Sequence, residues 1–171
     1  MKTIALLLTS AFALSLCGQS LLAQDAPSKA AGEKPASAEK PKAPTQEELE
    51  AKFKTTLTKA IMSGRWCSLK DGVMGEEKED KYTIQSVSKV KGDEWVIVSR
   101  IQYNKRDFDA PIPIKVKWAG DTAVIIVDNV AVPGGGVYSA RVMVYENTYA
   151  GSWSGGKYGG LLNGTIAPQK E

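Results

Sequence analysis

Residues 137–166 have the sequence VYSARVMVYENTYAGSWSGGKYGGLLNGTI, and their pattern predicts a β fold. Asn147 and the Gly155-Gly156 pair divide it into three segments that are rich in β-branched and aromatic residues. Alternation with a period of two, and Gly or Asn at hairpin spacing, are typical of β-strands. Connections this short join only antiparallel neighbours, so the stretch predicts a meander. The three predicted strands are residues 137–146, 148–154 and 159–166.

The same pattern continues upstream in five further segments. The predicted strands are residues 65–69, 81–90, 94–103, 111–118 and 122–130. The clearest alternation lies in residues 111–118, whose isoleucines, Val116 and Trp118 are predicted to face a core, while Pro113 indicates an edge or an unpaired position. Eight strands with short links predict an all-β fold, an antiparallel up-and-down barrel. An eight-stranded barrel is either filled by side chains or holds one small ligand.

One amphipathic helix is predicted before the barrel, over residues 45–63. Thr45 and Glu48 have the spacing of a capping box. Gly64 is a natural residue for the position after the helix, so the barrel domain is expected to span residues 64–171. The apolar stripe, Leu49, Phe53, Leu57, Ala60 and Ile61, is expected to pack on the barrel or to close one end. The alternative is a helix that binds a partner.

The N-terminal residues predict export. Residues 1–23 combine Lys2 with an apolar stretch too short to span a bilayer, which is typical of a signal peptide. A lipid anchor at Cys17 is the alternative, since residues 14–17 resemble a bacterial lipobox. Residues 24–44 hold no large apolar side chain and predict a disordered Ala/Lys/Pro-rich linker. The protein is therefore expected to be periplasmic or secreted, with no transmembrane segment in the mature chain.

The composition excludes several kinds of function. The chain has no histidine, which excludes Ser–His and Cys–His catalysis and histidine-based zinc sites. A formal net charge of +3 gives no field that favours nucleic acid. The acidic residues 71–80 lack the spacing of a calcium loop, and the three glycines at 134–136 lack the helix of a phosphate loop. Cys67 is expected to be a small buried residue. We expect no metal and no cofactor.

A resemblance to a known superfamily begins at Gly64-Arg65-Trp66. A Gly-x-Trp motif at the first strand, ahead of seven more antiparallel strands, resembles the calycins, which are the lipocalins, fatty-acid-binding proteins and avidins. The resemblance implies that Trp66 packs across the barrel base beneath an arginine, for which Arg141 is the candidate. The closing Tyr-x-Gly-x-Trp pattern is also similar to small exported bacterial proteins. Gly64 and Trp66 are accordingly expected to be structural.

Two kinds of non-catalytic function remain open. The first is binding of a small apolar or amphipathic ligand in a hollow barrel, with these candidate ligand-binding residues: Tyr82, Trp95, Trp118, Arg141, Tyr149 and Trp153. The second is a cell-envelope interaction protein, a scaffold or inhibitor, whose barrel is filled. Arg141 is expected to stack on Trp66 rather than to meet a ligand carboxylate. An enzyme is not expected, because Asp128 and Glu146, the carboxylates best placed for burial, are more simply strand-end residues.

Overall fold

The computed structural model describes residues 42–103, 105–132 and 136–170. The predicted signal peptide, Cys17 and residues 24–41 of the predicted linker lie outside the described residues, as do residues 133–135 of the glycine-rich segment. Within the described residues, one helix, α1 (Gln46–Leu57), precedes nine strands. The strands are β1 (Ala60–Lys70), β2 (Val73–Met74), β3 (Lys78–Lys91), β4 (Glu94–Tyr103), β5 (Arg106–Ala119), β6 (Thr122–Val132), β7 (Gly136–Tyr145), β8 (Thr148–Gly155) and β9 (Tyr158–Pro168).

Eight of these strands form the predicted barrel. Each long strand pairs antiparallel with the next, and β9 pairs with β1 to close the sheet. β2 is a two-residue strand that pairs only with the end of β1. The turn between β1 and β2 is Asp71-Gly72, and both residues have positive φ, as a tight hairpin requires. The predicted all-β, eight-stranded antiparallel barrel with one N-terminal helix is therefore confirmed.

The helix begins where the sequence predicts and ends earlier. The capping box forms as expected, since the Thr45 backbone N–H donates to Glu48 (2.7 Å) and the Glu48 N–H donates to the Thr45 hydroxyl (3.3 Å). Leu57 is the last helical residue, and Lys59 adopts a φ of 54°. The prediction that the helix continues to residue 63 is wrong, because residues 60–63 pair with both β3 and β9. Long-range pairing here overrides local helix propensity.

Two strand predictions also need correction. The charged residues 106–110, predicted as loop, belong to β5, where the Asp107 carboxylate pairs with Arg100 of β4 at 2.6 Å. In β3, a β-bulge between Ile84 and Ser86 changes the alternation. Val87 therefore faces the core, where unbroken alternation from Ile84 would have placed Ser86.

α1 closes one end of the barrel, here called the helix end. The Phe53 ring meets the Trp95 ring edge-on at 5.5 Å and the Trp118 ring at 6.2 Å. The buried core around these rings takes side chains from α1 and from every barrel strand. The opposite end, here called the distal end, carries the β1–β2 hairpin, the C-terminal ends of β4 and β6 and the turn between β8 and β9. None of the described helices is long and apolar enough to cross a membrane.

The barrel wall is incompletely paired between β5 and β6. Their described pairing stops at Lys115 and Ile126, although β5 stays paired with β4 as far as Arg106. The backbone N–H of Val116 points toward β4. N–H groups of successive strand residues point to opposite sides, and Pro113 is three positions away. The nitrogen of Pro113 therefore points away from β4, toward the unpaired stretch of β6. Proline has no N–H to leave unsatisfied there. The predicted unpaired position at Pro113 is confirmed.

Candidate functional site

A buried carboxyl group lies inside the barrel, toward the distal end. Asp80 of β3 is only 5% exposed. The Tyr82 hydroxyl donates to its Oδ2 at 3.1 Å, and the Tyr149 hydroxyl donates to its Oδ1 at 3.2 Å. Burial raises the pKa of Asp80 above its ordinary value, and the two tyrosine hydrogen bonds oppose part of that rise. Burial, and then the charge of Asp80, raise the pKa of Tyr149.

Tyr149 and Asp80 are separated by two strands, β9 and β1, and glycines on those strands leave room for the Tyr149 ring to cross them. Tyr149 belongs to β8, and its ring passes over Gly164 of β9 and Gly64 of β1 before its hydroxyl meets β3. A Cβ on Gly164 would lie 2.7 Å from Cε1 of that ring. A Cβ on Gly64 would collide with the Tyr149 hydroxyl and with the Asn163 carbonyl oxygen. Gly64 is thus required for close packing inside a strand, not for ending the helix as the sequence suggested.

A second group of rings lies nearer the distal end. Trp66 of β1 and Trp153 of β8 meet edge-to-face at 5.7 Å, and Tyr138 of β7 lies 6.3 Å from Trp153. Gly160 makes room for the indole of Trp153, since a Cβ there would lie 2.7 Å from Nε1. The indole nitrogens of both tryptophans are buried and have no hydrogen-bond partner among the described residues. These rings therefore occupy the interior by packing against each other.

The cation over Trp66 is Lys78. Its Nζ lies 5.4 Å from the centroid of the Trp66 ring. Arg141 lies on the outer face of β7, where its guanidinium bonds Asp128 at 2.6 Å and the Val127 carbonyl at 2.9 Å. The predicted stacking of Arg141 on Trp66 is wrong, because the neighbours of Arg141 on β7 take the inward positions.

The other predicted ligand-binding residues face the interior but form two separate groups. Trp95 and Trp118 pack on Phe53 at the helix end. Tyr82, Tyr149 and Trp153 lie toward the distal end, around Asp80 and Trp66. The structure does not bring all of them into one site.

Sequence reasoning missed Asp80 and Lys78. Both belong to the acidic residues 71–80, which lie outside the predicted strands, whereas β3 begins at Lys78. A usable signal was present, because Lys78 and Asp80 continue the alternation that includes Tyr82. Asp128 and Glu146 are exposed, in agreement with the simpler interpretation of them as strand-end residues. Cys67 is buried, as expected.

Two depressions border the helix on the outside of the barrel. The larger, of about 480 Å³, lies between α1 and β3. Its walls include Glu50 and Lys89, which form an ion pair at 2.6 Å, and the Lys89 ammonium lies 5.9 Å from the Trp95 ring. The smaller lies beside Phe53 and Trp118. Within residues 42–170, as far as they are described, no group of three or more acidic or cysteine side chains is placed to hold a metal ion.

Comparison of the chain with protein-family models, with curated proteins and with solved structures found no match. The closed eight-stranded barrel is consistent with a calycin-like fold, and that likeness is one of architecture.

Proposed function

We propose that this protein is an exported, non-catalytic interaction protein built on a calycin-like barrel that its own side chains fill. Its partner is another protein of the cell envelope, and its loops and outer surface make the contacts. The observation that carries the proposal is the filled interior. Phe53, Trp95 and Trp118 occupy the helix end, while Tyr149 and the Trp66–Trp153 pair occupy the distal half.

Filling the lumen leaves the surface for recognition. The distal end displays an apolar group of three side chains, here called the rim group: Val73 (69% exposed), Met74 (60%) and Tyr158 (74%). Charges of both signs, including Lys70 and Asp71, adjoin this group in sequence. Apolar side chains within a polar surround are the usual anatomy of a protein-binding surface. We assign the rim group to the envelope partner.

The proposed location rests on the N-terminal sequence. Residues 1–23 would direct export and be removed, and residues 24–44 would remain as an extended spacer ahead of α1. A periplasmic or secreted protein is the outcome we favour, with lipid attachment at Cys17 as the alternative. Neither nucleic acid nor a cofactor has a part in this proposal.

A second candidate function is binding of a small hydrophobic ligand in the distal half of the barrel. It is favoured by the incomplete burial of Trp66, Trp153 and Leu162 on the inner face, and by the unpaired wall between β5 and β6. Tyr82 and Tyr149 would then line the floor of that site.

Native mass spectrometry distinguishes the two functions. The protein, purified without denaturant, is compared with its denatured mass. A native mass equal to one or two bare polypeptides is expected for the filled barrel. Extra mass per chain, of the size of a small molecule, that leaves on denaturation would refute the filled barrel and assign the protein to ligand binding.

Affinity capture from an envelope extract tests the rim group. Val73→Asp combined with Met74→Asp should abolish capture of the partner, because two charges would enter an apolar contact. Val90→Asp is the matched control, since Val90 is 64% exposed but lies at the opposite end of the barrel. Equal capture by all three proteins would contradict the assignment.

A further inference from the structure

Charge is distributed unevenly around the outside of the barrel. Outward positions of β3, β4 and β5 carry many charged side chains, for example Glu79, Arg100 and Lys115. In contrast, Lys157 is the only charged residue between Thr148 and Pro168, and it lies in the turn between β8 and β9. The outward positions of both these strands are uncharged. Two of the eight barrel strands therefore lack the outward charges that normally keep a surface hydrated.

The uncharged outer face of β8 and β9 continues onto the neighbouring strands β1 and β7, and we call this four-strand face the neutral wall. Arg65 on β1 and Arg141 on β7 are the charged outward residues on these two strands, and each is paired with a carboxylate, Glu77 or Asp128. The neutral wall thus has no unpaired charge among the outward positions of its described strands.

The neutral wall also holds exposed apolar side chains. Its large apolar members are Leu69, Val137, Met143, Tyr145 and Leu161. Among the described residues, Val90 is the one large exposed apolar side chain that lies on β3, β4, β5 or β6. Depletion of charge together with exposed apolar side chains is the compositional mark of the centre of a protein interface.

The size of the neutral wall suits a modest interface. Four strands at ~4.8 Å spacing and eight residues at ~3.3 Å rise make an area of roughly 500 Å². Two such faces in contact would bury on the order of 1,000 Å², near the lower limit for a specific interface. The small outward side chains of β8, such as Ala150 and Ser152, allow two sheets to approach closely.

We infer that a second copy of this chain covers the neutral wall, so that the protein is a two-fold symmetric dimer with the two walls face to face. A copy of the wall is its own complement, because both faces are uncharged apart from arginines that are already paired. A lipid surface fits less well, because Ser152, Ser154 and Asn163 would lose water without gaining hydrogen-bond partners there. In a two-fold contact the same hydroxyl and amide groups face each other. The inference goes beyond the proposed function, since the rim group remains free at the distal end.

Sedimentation velocity of the full chain over a range of concentrations tests the dimer. The wild type should have the mass of two chains and should dissociate on dilution, as expected for a modest interface. Leu161→Glu places a charge at a central position that is 41% exposed, so it should give a folded monomer whose melting temperature does not depend on protein concentration. Val90→Glu, a charge added outside the neutral wall at the helix end of β3, should remain dimeric.

A disulfide test examines the geometry directly. Ser152 lies opposite Leu161, near the centre of the wall, and a residue close to a two-fold axis meets its own copy. Ser152→Cys should therefore form a disulfide-linked dimer on mild oxidation, and Val90→Cys should not.

Three outcomes would overturn the inference: a wild type that stays monomeric at every concentration, a Leu161→Glu variant as dimeric as the wild type, or equal cross-linking at positions 152 and 90. A monomer that floats with phosphatidylcholine vesicles, and loses flotation on Leu161→Glu, would assign the wall to lipid instead. Native mass spectrometry tests for a bound small molecule, and sedimentation tests for the dimer. A monomeric protein would therefore refute the dimer without refuting the filled barrel.

Discussion

Removing one hydroxyl group from the barrel interior should destabilise the protein by an amount that depends on pH. The change is Tyr149→Phe, which deletes the 3.2 Å hydrogen bond to Asp80 and leaves the ring over Gly64 and Gly164 in place. The bond matters most when Asp80 is ionised, because a hydrogen bond to a buried carboxylate is stronger than one to a neutral acid. We therefore expect a small loss of stability at acidic pH and a larger one at neutral pH.

The expected size follows from the contacts. Loss of a hydrogen bond to neutral Asp80 should cost about 1 kcal/mol, and loss of one to the ionised group about 2–3 kcal/mol. In a domain of this size 1 kcal/mol corresponds to a shift of about 4 °C in melting temperature. The variant should melt about 4 °C below wild type at acidic pH and about 8–12 °C below it at neutral pH.

Thermal unfolding followed by circular dichroism measures this difference, at a pH below the ordinary Asp pKa of 3.8 and at neutral pH. Tyr158→Phe is the control, because Tyr158 is 74% exposed at the distal end and lies outside both the core and the neutral wall, so it should change nothing at either pH. In a double-mutant cycle, Asp80→Asn should remove the pH dependence of the Tyr149→Phe effect. An equal loss at both pH values, or no coupling to Asp80, would refute the reasoning.

Three other substitutions give clear expectations. Asp80→Asn should reduce the dependence of the urea-measured free energy of unfolding on pH. The raised pKa of Asp80 contributes stability that is full below its ordinary pKa of 3.8 and is lost as pH rises through the raised pKa. An unchanged pH dependence would exclude this cause. Gly64→Ala should lower the free energy of unfolding by about 3 kcal/mol, because its Cβ would collide with the Tyr149 hydroxyl and the Asn163 carbonyl. Gly159→Ala is the control in the same assay. Its Cβ would lie 3.1 Å from the nearest atom, so it should cost under about 1 kcal/mol. Arg141→Ala should cost under about 1 kcal/mol, as loss of an exposed ion pair does, and a larger loss would restore a role for Arg141 in the core.

The fold was predictable because strand signals are local. Alternation and turn residues in the chain mark each of the eight barrel strands, and Glu94–Tyr103 matches its predicted range. The ends of other elements were not predictable in the same way. Helix α1 stops at Leu57, and β5 starts at Arg106, because pairing with strands distant in sequence fixes the backbone there.

The interior site was only partly predictable. Tyr82, Tyr149 and Trp153 were expected to face inward and do so, because alternation assigns faces along a regular strand. Arg141 was misassigned because β7 has apolar residues on both faces, so its pattern does not identify the inner one. Asp80 was missed because a charged residue beside three other acidic residues is ordinarily solvated.

The number of barrel strands, their antiparallel order and the start of the helix follow from the amino-acid sequence, since each depends on residues close together in the chain. Which side chains meet across the barrel depends instead on the closed sheet. Tyr149 reaches Asp80 over Gly64 and Gly164, four residues on four different strands, because sheet closure sets their register. The neutral wall likewise exists only after closure, because joining β9 to β1 places the uncharged C-terminal strands beside the first strand of the barrel.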